Sequence, residues 1–271
     1  IIATEINESE KIKLAIDIGT NGEVVLGNKN KLLSTSCAAG PAFEGAHIKH
    51  GMRASKGAIE KVDFIKGEIV YKTIEDASPV GFCGSGLIDA MALLVENNIV
   101  DETGRIKSPD ELGSGVHSAL KSRIKVHENG NEFIFIKEGK KEISLNQKDV
   151  REIQLAKGAM LAGITILMNE LGIKKEDIEE VMIAGAFGNY IRAKKALSIG
   201  LIPDIKMEKI IFCGNAAEEG ARKALVSVDL RNLVEKIAKE VKNVDLSASP
   251  SFQDIFADSM CFAPPAERVG V

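Results

Sequence analysis

The chain of 271 residues contains no Trp, two Tyr and four Cys, and no two of its cysteines form a CxxC pair. Cys37, Cys83, Cys213 and Cys261 stand far apart among small or apolar neighbours. Metal and iron–sulfur ligation draw on closely spaced ligands, so a local cluster motif is excluded and the four read as buried free thiols. No apolar run is long enough to cross a bilayer. No secretory signal is present, which points to a reducing, cytoplasmic setting. The net charge is −4 and no Lys/Arg cluster is free of interleaved acids, so the basic stripe of a nucleic-acid-binding protein is missing. HExxH, Walker A, GxGxxG and a Ser/His/Asp order are absent as well.

What is present is ordinary globular material, 45% apolar and 27% charged, with its apolar mass in Ile, Leu, Val, Ala and Phe. The length allows one large domain or two small ones. Residues 12–18, 23–28 and 31–38 read as a three-stranded antiparallel meander with short links at Gly22 and at Asn28 to Lys31. Residues 58–65 and 68–74 form a hairpin turning at Lys66-Gly67, and Gly84-Ser85-Gly86 opens a helix. Residues 101–121 are polar and Gly/Pro-interrupted, an irregular insertion, followed by short strands at 123–126, 132–136 and 141–145. The longest helix runs from 149 to about 171 and stops at Gly172. Strands at 180–184 and 209–213 then alternate with helices at 191–199, 216–226 and 230–241, which implies parallel pairing. A meander followed by alternating strands and helices is the ribonuclease-H-like order of an α/β fold. The Pro-rich tail is expected to fray.

Three glycine-rich turns follow buried strands: DIGTNG at Asp17, GAFGN at Gly185 and GNAAEEG at Gly214. Ligands of open α/β sheets sit at the carboxyl ends of strands, so all three could face one cleft. In DIGTN, Gly19 lets the backbone approach a phosphate, Thr20 and Asn21 add a hydroxyl and amides, and successive N–H groups make an anion nest. Asp17 cannot bind phosphate directly, but it can hold Mg²⁺ through water or orient an attacking water. Read alone, DxGT is a weak pattern, and the favoured reading is a turn in which Asp17 merely satisfies amides. GAFGN is open between a ring-binding backbone and a plain turn with Asn189 as helix cap. GNAAEEG starts a small-residue helix suited to close packing. Gly84-Ser85-Gly86 is either a phosphate site at a helix N-terminus or a tight turn. Glu44, His47 and His50 have metal-compatible spacing without an evident third strong ligand, and His117 and His127 read as surface.

Taken together, the turns resemble the acetate-and-sugar-kinase, chaperone and actin superfamily, with AIDIGTNGEVVLG as its second phosphate motif, MIAGAFGNYI as its adenosine motif and GNAAEEGA as its second connecting helix. LLSTSCAAGPAFEGAHIKHGMRASKGAIEKV, FCGSGLIDA, DVREIQLAKGAMLAGI and ALSIGLIP extend the likeness. From about Lys13 to Phe262 the chain resembles the C-terminal ATPase portion of the reductive activators of corrinoid proteins.

The resemblance implies an actin-like ATPase half with a mixed sheet, flanking helices and a small inserted β subdomain. The core would be about 12–54, 80–100 and 147–246, the inserts about 55–79 and 101–146, and 247–271 a tail. It implies ATP and Mg²⁺, with Asp17, Gly19, Thr20 and Asn21 toward the phosphates and the metal. Gly185, Ala186, Phe187 and Gly188 would line the adenosine, and Gly214, Asn215 and Ala216 would complete that end. The implied activity is ATP-dependent return of Co(II) corrinoid to Co(I), with electrons from an N-terminal iron–sulfur domain whose cysteines this sequence lacks. The implied partner is a corrinoid protein or corrinoid-dependent methyltransferase, and a homodimer is compatible. The second DxG-type turn of the superfamily is also missing, so the sequence reads as one half of an ATPase cut from a longer protein, enzymatic only in that context. Two alternatives stay open: a non-catalytic interaction or dimerisation module of the same fold, and an activator of a 2-hydroxyacyl-CoA dehydratase, for which Cys83 and Cys213 lack evident partners.

Overall fold

The structure is a computed structural model that describes residues 1–185 and 190–263. Its largest sheet has six strands: β1 (Lys13–Ile18), β2 (Gly22–Asn28), β3 (Lys31–Cys37), β10 (Glu180–Ala184), β11 (Ile210–Gly214) and β12 (Lys242–Asn243). Their order is β11-β10-β1-β2-β3-β12. β1, β2 and β3 pair antiparallel, whereas β10 lies parallel to both β1 and β11. This is the expected ribonuclease-H-like arrangement, with β12 as an added edge strand parallel to β3.

Alternation decides the faces. In β1, Leu14, Ile16 and Ile18 are buried while Lys13, Ala15 and Asp17 are only half-buried. Helix α3 (Gln147–Leu171) lies across β2 and β3. Gly22 permits this approach, because a Cβ there would overlap the thioether of Met160. A capping box starts α3: Asn146 accepts from Lys148 N and Asp149 N, and Asp149 accepts from Asn146 N. Gly172, at φ +69°, ends it. The helix therefore begins two residues earlier than the apolar stripe suggests, since its first turn is fixed by polar caps.

The residues between β3 and α3 build a second layer from two three-stranded sheets. One has the order β5-β4-β6, from β4 (Ala58–Ile65), β5 (Glu68–Thr73) and β6 (Gly81–Phe82); the other is β7-β8-β9, from β7 (Ile124–Lys125), β8 (Glu132–Glu138) and β9 (Lys141–Asn146). Helix α1 (Gly84–Glu96) is buried on every side from Gly84 to Val95 and packs on β4. The polar insertion holds one short helix, α2 (Ser118–Lys121).

Helix α4 (Ala193–Ser198) starts two residues later than expected, with Arg192 at its N-cap; Asn189, read as that cap, lies outside the described residues. Helices α5 (Ala216–Val226) and α6 (Val228–Glu240) pack on each other. Two expectations are corrected. The segment expected to fray contains α7 (Phe252–Met260), which packs on α3 where Gly158 lets Met260 approach. Phe252, Ile255 and Phe256 carry the helical i, i+3, i+4 spacing that the Pro-rich residues beyond them obscured. Cys37 and Cys83 are buried, but Cys213 is half-buried and Cys261 exposed.

Candidate nucleotide site

The carboxyl ends of β1, β10 and β11 are aligned, with Asp17 opposite Ala184 and Ala184 opposite Gly214. This register brings the three turns to one corner. Gly185 N donates to Gly214 O at 2.9 Å. A Cβ built on Gly185 would stand 2.5 Å from Asp17 Oδ1 and 2.8 Å from Ile18 O, and its φ is +96°. Both the close approach and the left-handed backbone require glycine.

Asp17 sits where a charge is uncomfortable. Burial pushes its carboxyl above the ordinary value. Its direct cross-strand partner on β2 is Glu23. Burial raises Glu23 too, and the charge of Asp17 raises it further. Two acids facing each other on one sheet surface repel. Such a pair offers carboxylate oxygens of the hard kind that Mg²⁺ takes. Among the described residues no group of three or more His, Cys, Asp or Glu stands ready as a metal cage.

Thr20 and Asn21 are exposed at the tip of the turn and Gly19 is half-buried. Thr20 Oγ1 donates to Glu44 Oε1, a short contact joining the turn to the chain after β3. Glu44 in turn lines a cavity of 430 Å³. The other walls come from Met52 and Arg53, from Glu60 on β4, from Cys83 and Ser85 at the start of α1, and from Tyr190. Ser85 is 4% exposed and Cys83 3%. The Cys83 thiol lies 3.3 Å from Ile59 O and 3.5 Å from Ser85 Oγ. No side chain caps the first turn of α1, and the charged groups lining the cavity are Arg53, Glu44 and Glu60.

The expected residues thus separate into groups. Asp17, Gly19, Thr20, Gly185 and Gly214 share the corner. Asn215 is occupied as the N-cap of α5, accepting from Glu218 N at 3.1 Å and donating to Glu218 Oε2 at 2.9 Å. Ala216 is the first residue of that helix, and α5 buries none of its residues. Ala186, Phe187 and Gly188 lie outside the described residues. The histidines show no metal geometry: His47 Nδ1 lies 3.8 Å from Glu152, and His127 Nε2 lies 3.3 Å from Glu132.

Sequence reading missed the cavity itself and the group behind it. Arg192 Nε donates to Asp89 Oδ1 at 3.0 Å, Nη1 to Asp63 Oδ2 at 2.7 Å and Nη2 to Val62 O at 2.8 Å, with a further short bond from Nη2 to Asp89 Oδ2. One signal was available. Asp89 is the only charged residue in the apolar run GSGLIDAMALLV, and a buried carboxylate needs a cation.

The chain matches, over residues 11–268, the family described as the C-terminal domain of RACo, the ASKHA domain. It is 39% identical over 259 residues to the corrinoid activation enzyme RamQ of Eubacterium limosum, which covers 93% of this chain and 43% of that protein. It is 29% identical over 270 residues to the Co(II) methylated amine-specific corrinoid protein reductase of Methanosarcina barkeri, covering 90% of this chain and 44% of that one. A solved structure, that of a reductive activator for corrinoid, iron–sulfur protein, aligns with a TM-score of 0.83 at 40% identity, over 97% of this chain and 41% of that one. The chain spans less than half the length of these relatives. Since the match takes in the sheet, the inserted layer and α7 alike, the chain belongs to the family of RACo C-terminal ASKHA domains.

Proposed function

We propose that this chain is the nucleotide-binding part of an ATP-dependent reductive activator that returns inactive Co(II) corrinoid proteins to Co(I). The observation that carries the reading is the meeting of Asp17, Gly185 and Gly214 at three adjacent strand ends. Backbone without side chains and the Asp17 carboxylate, with Glu23 across the strand pair, suit a triphosphate with its metal. The names of the relatives support the corrinoid part, since each is a corrinoid activator or reductase.

In this reading the phosphates lie over Gly19 to Asn21, and Asp17 holds Mg²⁺ through water or orients the attacking water. The bound Mg²⁺ would neutralise charge on the transferring phosphoryl group. The rest of the nucleotide extends past Gly185 toward the cavity lined by Glu44, Arg53 and Tyr190. Hydrolysis transfers the terminal phosphoryl group to water and yields ADP and phosphate. The electron for Co(II) comes from an iron–sulfur domain that this chain does not contain. The isolated chain binds ATP weakly, because it supplies one wall of the cleft.

A second reading has its own observation. The α5–α6 pair exposes Leu225, Val226 and Val228, an apolar surface suited to a protein partner. It would make the chain an interaction module without turnover. Asp17→Ala in the protein that carries this domain separates the two. Loss of ATPase and of corrinoid reduction, with folding intact, supports the nucleotide reading. Unchanged corrinoid activation supports the interaction module.

A further inference from the structure

We propose that Arg192 is a positioning residue for the cavity: it clamps α1 to β4 and fixes Tyr190 on the wall. The proposal rests on the reading of that cavity as part of the nucleotide site.

One guanidinium joins two separate segments, α1 and β4, to its own stretch of chain. Asp89 lies on α1, a little over one turn beyond Gly84 and Ser85, which line the cavity. Val62 and Asp63 follow Glu60 on β4, another wall residue. Tyr190, on the wall itself, precedes Arg192 by two residues. Asp89 is 1% exposed and also accepts from Val62 N at 3.1 Å, so the carboxylate is held by β4 as well as by the arginine. The fork therefore ends on the two elements, α1 and β4, that also carry wall residues of the cavity. Gly86 belongs to the same arrangement, since its bare Cα lets α1 sit against the Ile59 carbonyl.

An ionic group is a poor way to gain stability here, because apolar residues of equal volume often serve as well or better than a buried ion pair. What a planar fork gives is direction. Four bonds in one plane fix the relative placement of α1, β4 and the chain at Tyr190, which a lysine could not do. Arg192 also joins the inserted layer to α4, whose N-cap it is.

Cys83 supplies a readout that needs no nucleotide. It is buried and lines this cavity, whereas Cys37 is buried between β3 and α3 beside Gly163. Native-state alkylation by iodoacetamide, followed peptide by peptide, compares the two thiols in Arg192→Lys and in the milder Asp63→Asn. Arg192→Lys is expected to speed labelling of Cys83 about tenfold, as if about 1.4 kcal/mol of clamping were lost, and to leave Cys37 unchanged. Asp63→Asn moves Cys83 in the same direction by less. Equal acceleration of both thiols, or of neither, overturns the proposal, since the first is general destabilisation and the second is no clamp.

In the protein that carries this domain, Arg192→Lys is expected to raise the KM for ATP about tenfold with kcat within about twofold. A fall in kcat alone at unchanged KM overturns the positioning role. If the unmutated protein proves to have no ATPase, the nucleotide reading fails, and the Cys83-to-Cys37 comparison still decides the clamp.

Discussion

Gly185 and Asp17 are in direct apposition: the space a Cβ would need at Gly185 ends 2.5 Å from the Asp17 carboxylate. No side chain fits there, and the backbone at φ +96° disfavours one as well. Gly185→Ala is therefore expected to cost about 1–3 kcal/mol of stability, part from strain and part from displacing the carboxylate. Urea denaturation of the chain measures it. A loss below a few tenths of a kcal/mol would mean that the β1–β10 corner is loose.

Asp17 titrates above its ordinary value because it is buried. Its contribution to stability is present below the unfolded carboxylate range and is lost as pH rises through the folded value. Asp17→Asn removes that titration. The variant should be no less stable than the unmodified chain near pH 7, while its stability changes less between about pH 4 and pH 7. Thermal melts across that window check the sign, and a large loss of stability at pH 7 would contradict it. The same substitution in the protein that carries this domain is expected to lower ATPase turnover by about 100-fold or more.

Gly86→Ala tests how closely α1 must approach β4. The added methyl would collide with the carbonyl of Ile59, a backbone atom that cannot rotate away. Overpacking of this kind costs about 1–3 kcal/mol. Chemical denaturation should show the loss, and Cys83 should become more reactive toward alkylation. At Gly22 the opposing atoms are the far end of the Met160 side chain, so Gly22→Ala should cost less.

Lys157 is wholly buried on α3. Its ammonium donates to Cys261 O through a short bond and lies 4.9 Å from the centre of the Phe262 ring. Burial brings its pKa down to about 8, with the Cys261 thiolate opposing. The stability it contributes is present above the ordinary lysine value and lost as pH falls through about 8. The chain should gain stability between about pH 8 and pH 10, and Lys157→Met should abolish that gain. At pH 7 the methionine variant is expected to be about 1–3 kcal/mol more stable. Denaturant midpoints at pH 7 and pH 10 decide it.

Most of the fold was legible because period and punctuation agree. The alternation in KLAIDI, the turn at Asn28 to Lys31 and the apolar stripe from Val150 to Leu167 each have one good solution. The two-residue strands β6 and β12 were not legible, because neither stands in an alternating run and each is formed by pairing beside β4 or β3, whereas the equally short β7 falls within the alternating residues 123–126. α7 was lost for a different reason. Its apolar spacing is clear, but its stability comes from α3, a partner about a hundred residues away.

At the site, sequence determined the chemistry on offer: a lone carboxylate followed by Gly-Thr-Asn, and two further glycine turns after apolar strands. Glycine at a strand end marks where backbone must come close to something. What it comes close to was decided by the parallel register of β1, β10 and β11, a long-range hydrogen-bonded alignment with no local signature. The cavity, the Thr20–Glu44 contact and the Arg192 fork belong to the tertiary structure alone. The two contacts join residues between 24 and 130 positions apart, and the cavity wall draws on residues from Phe43 to Tyr190. A chain can bring such groups together only after its sheet and helices have already buried their apolar faces.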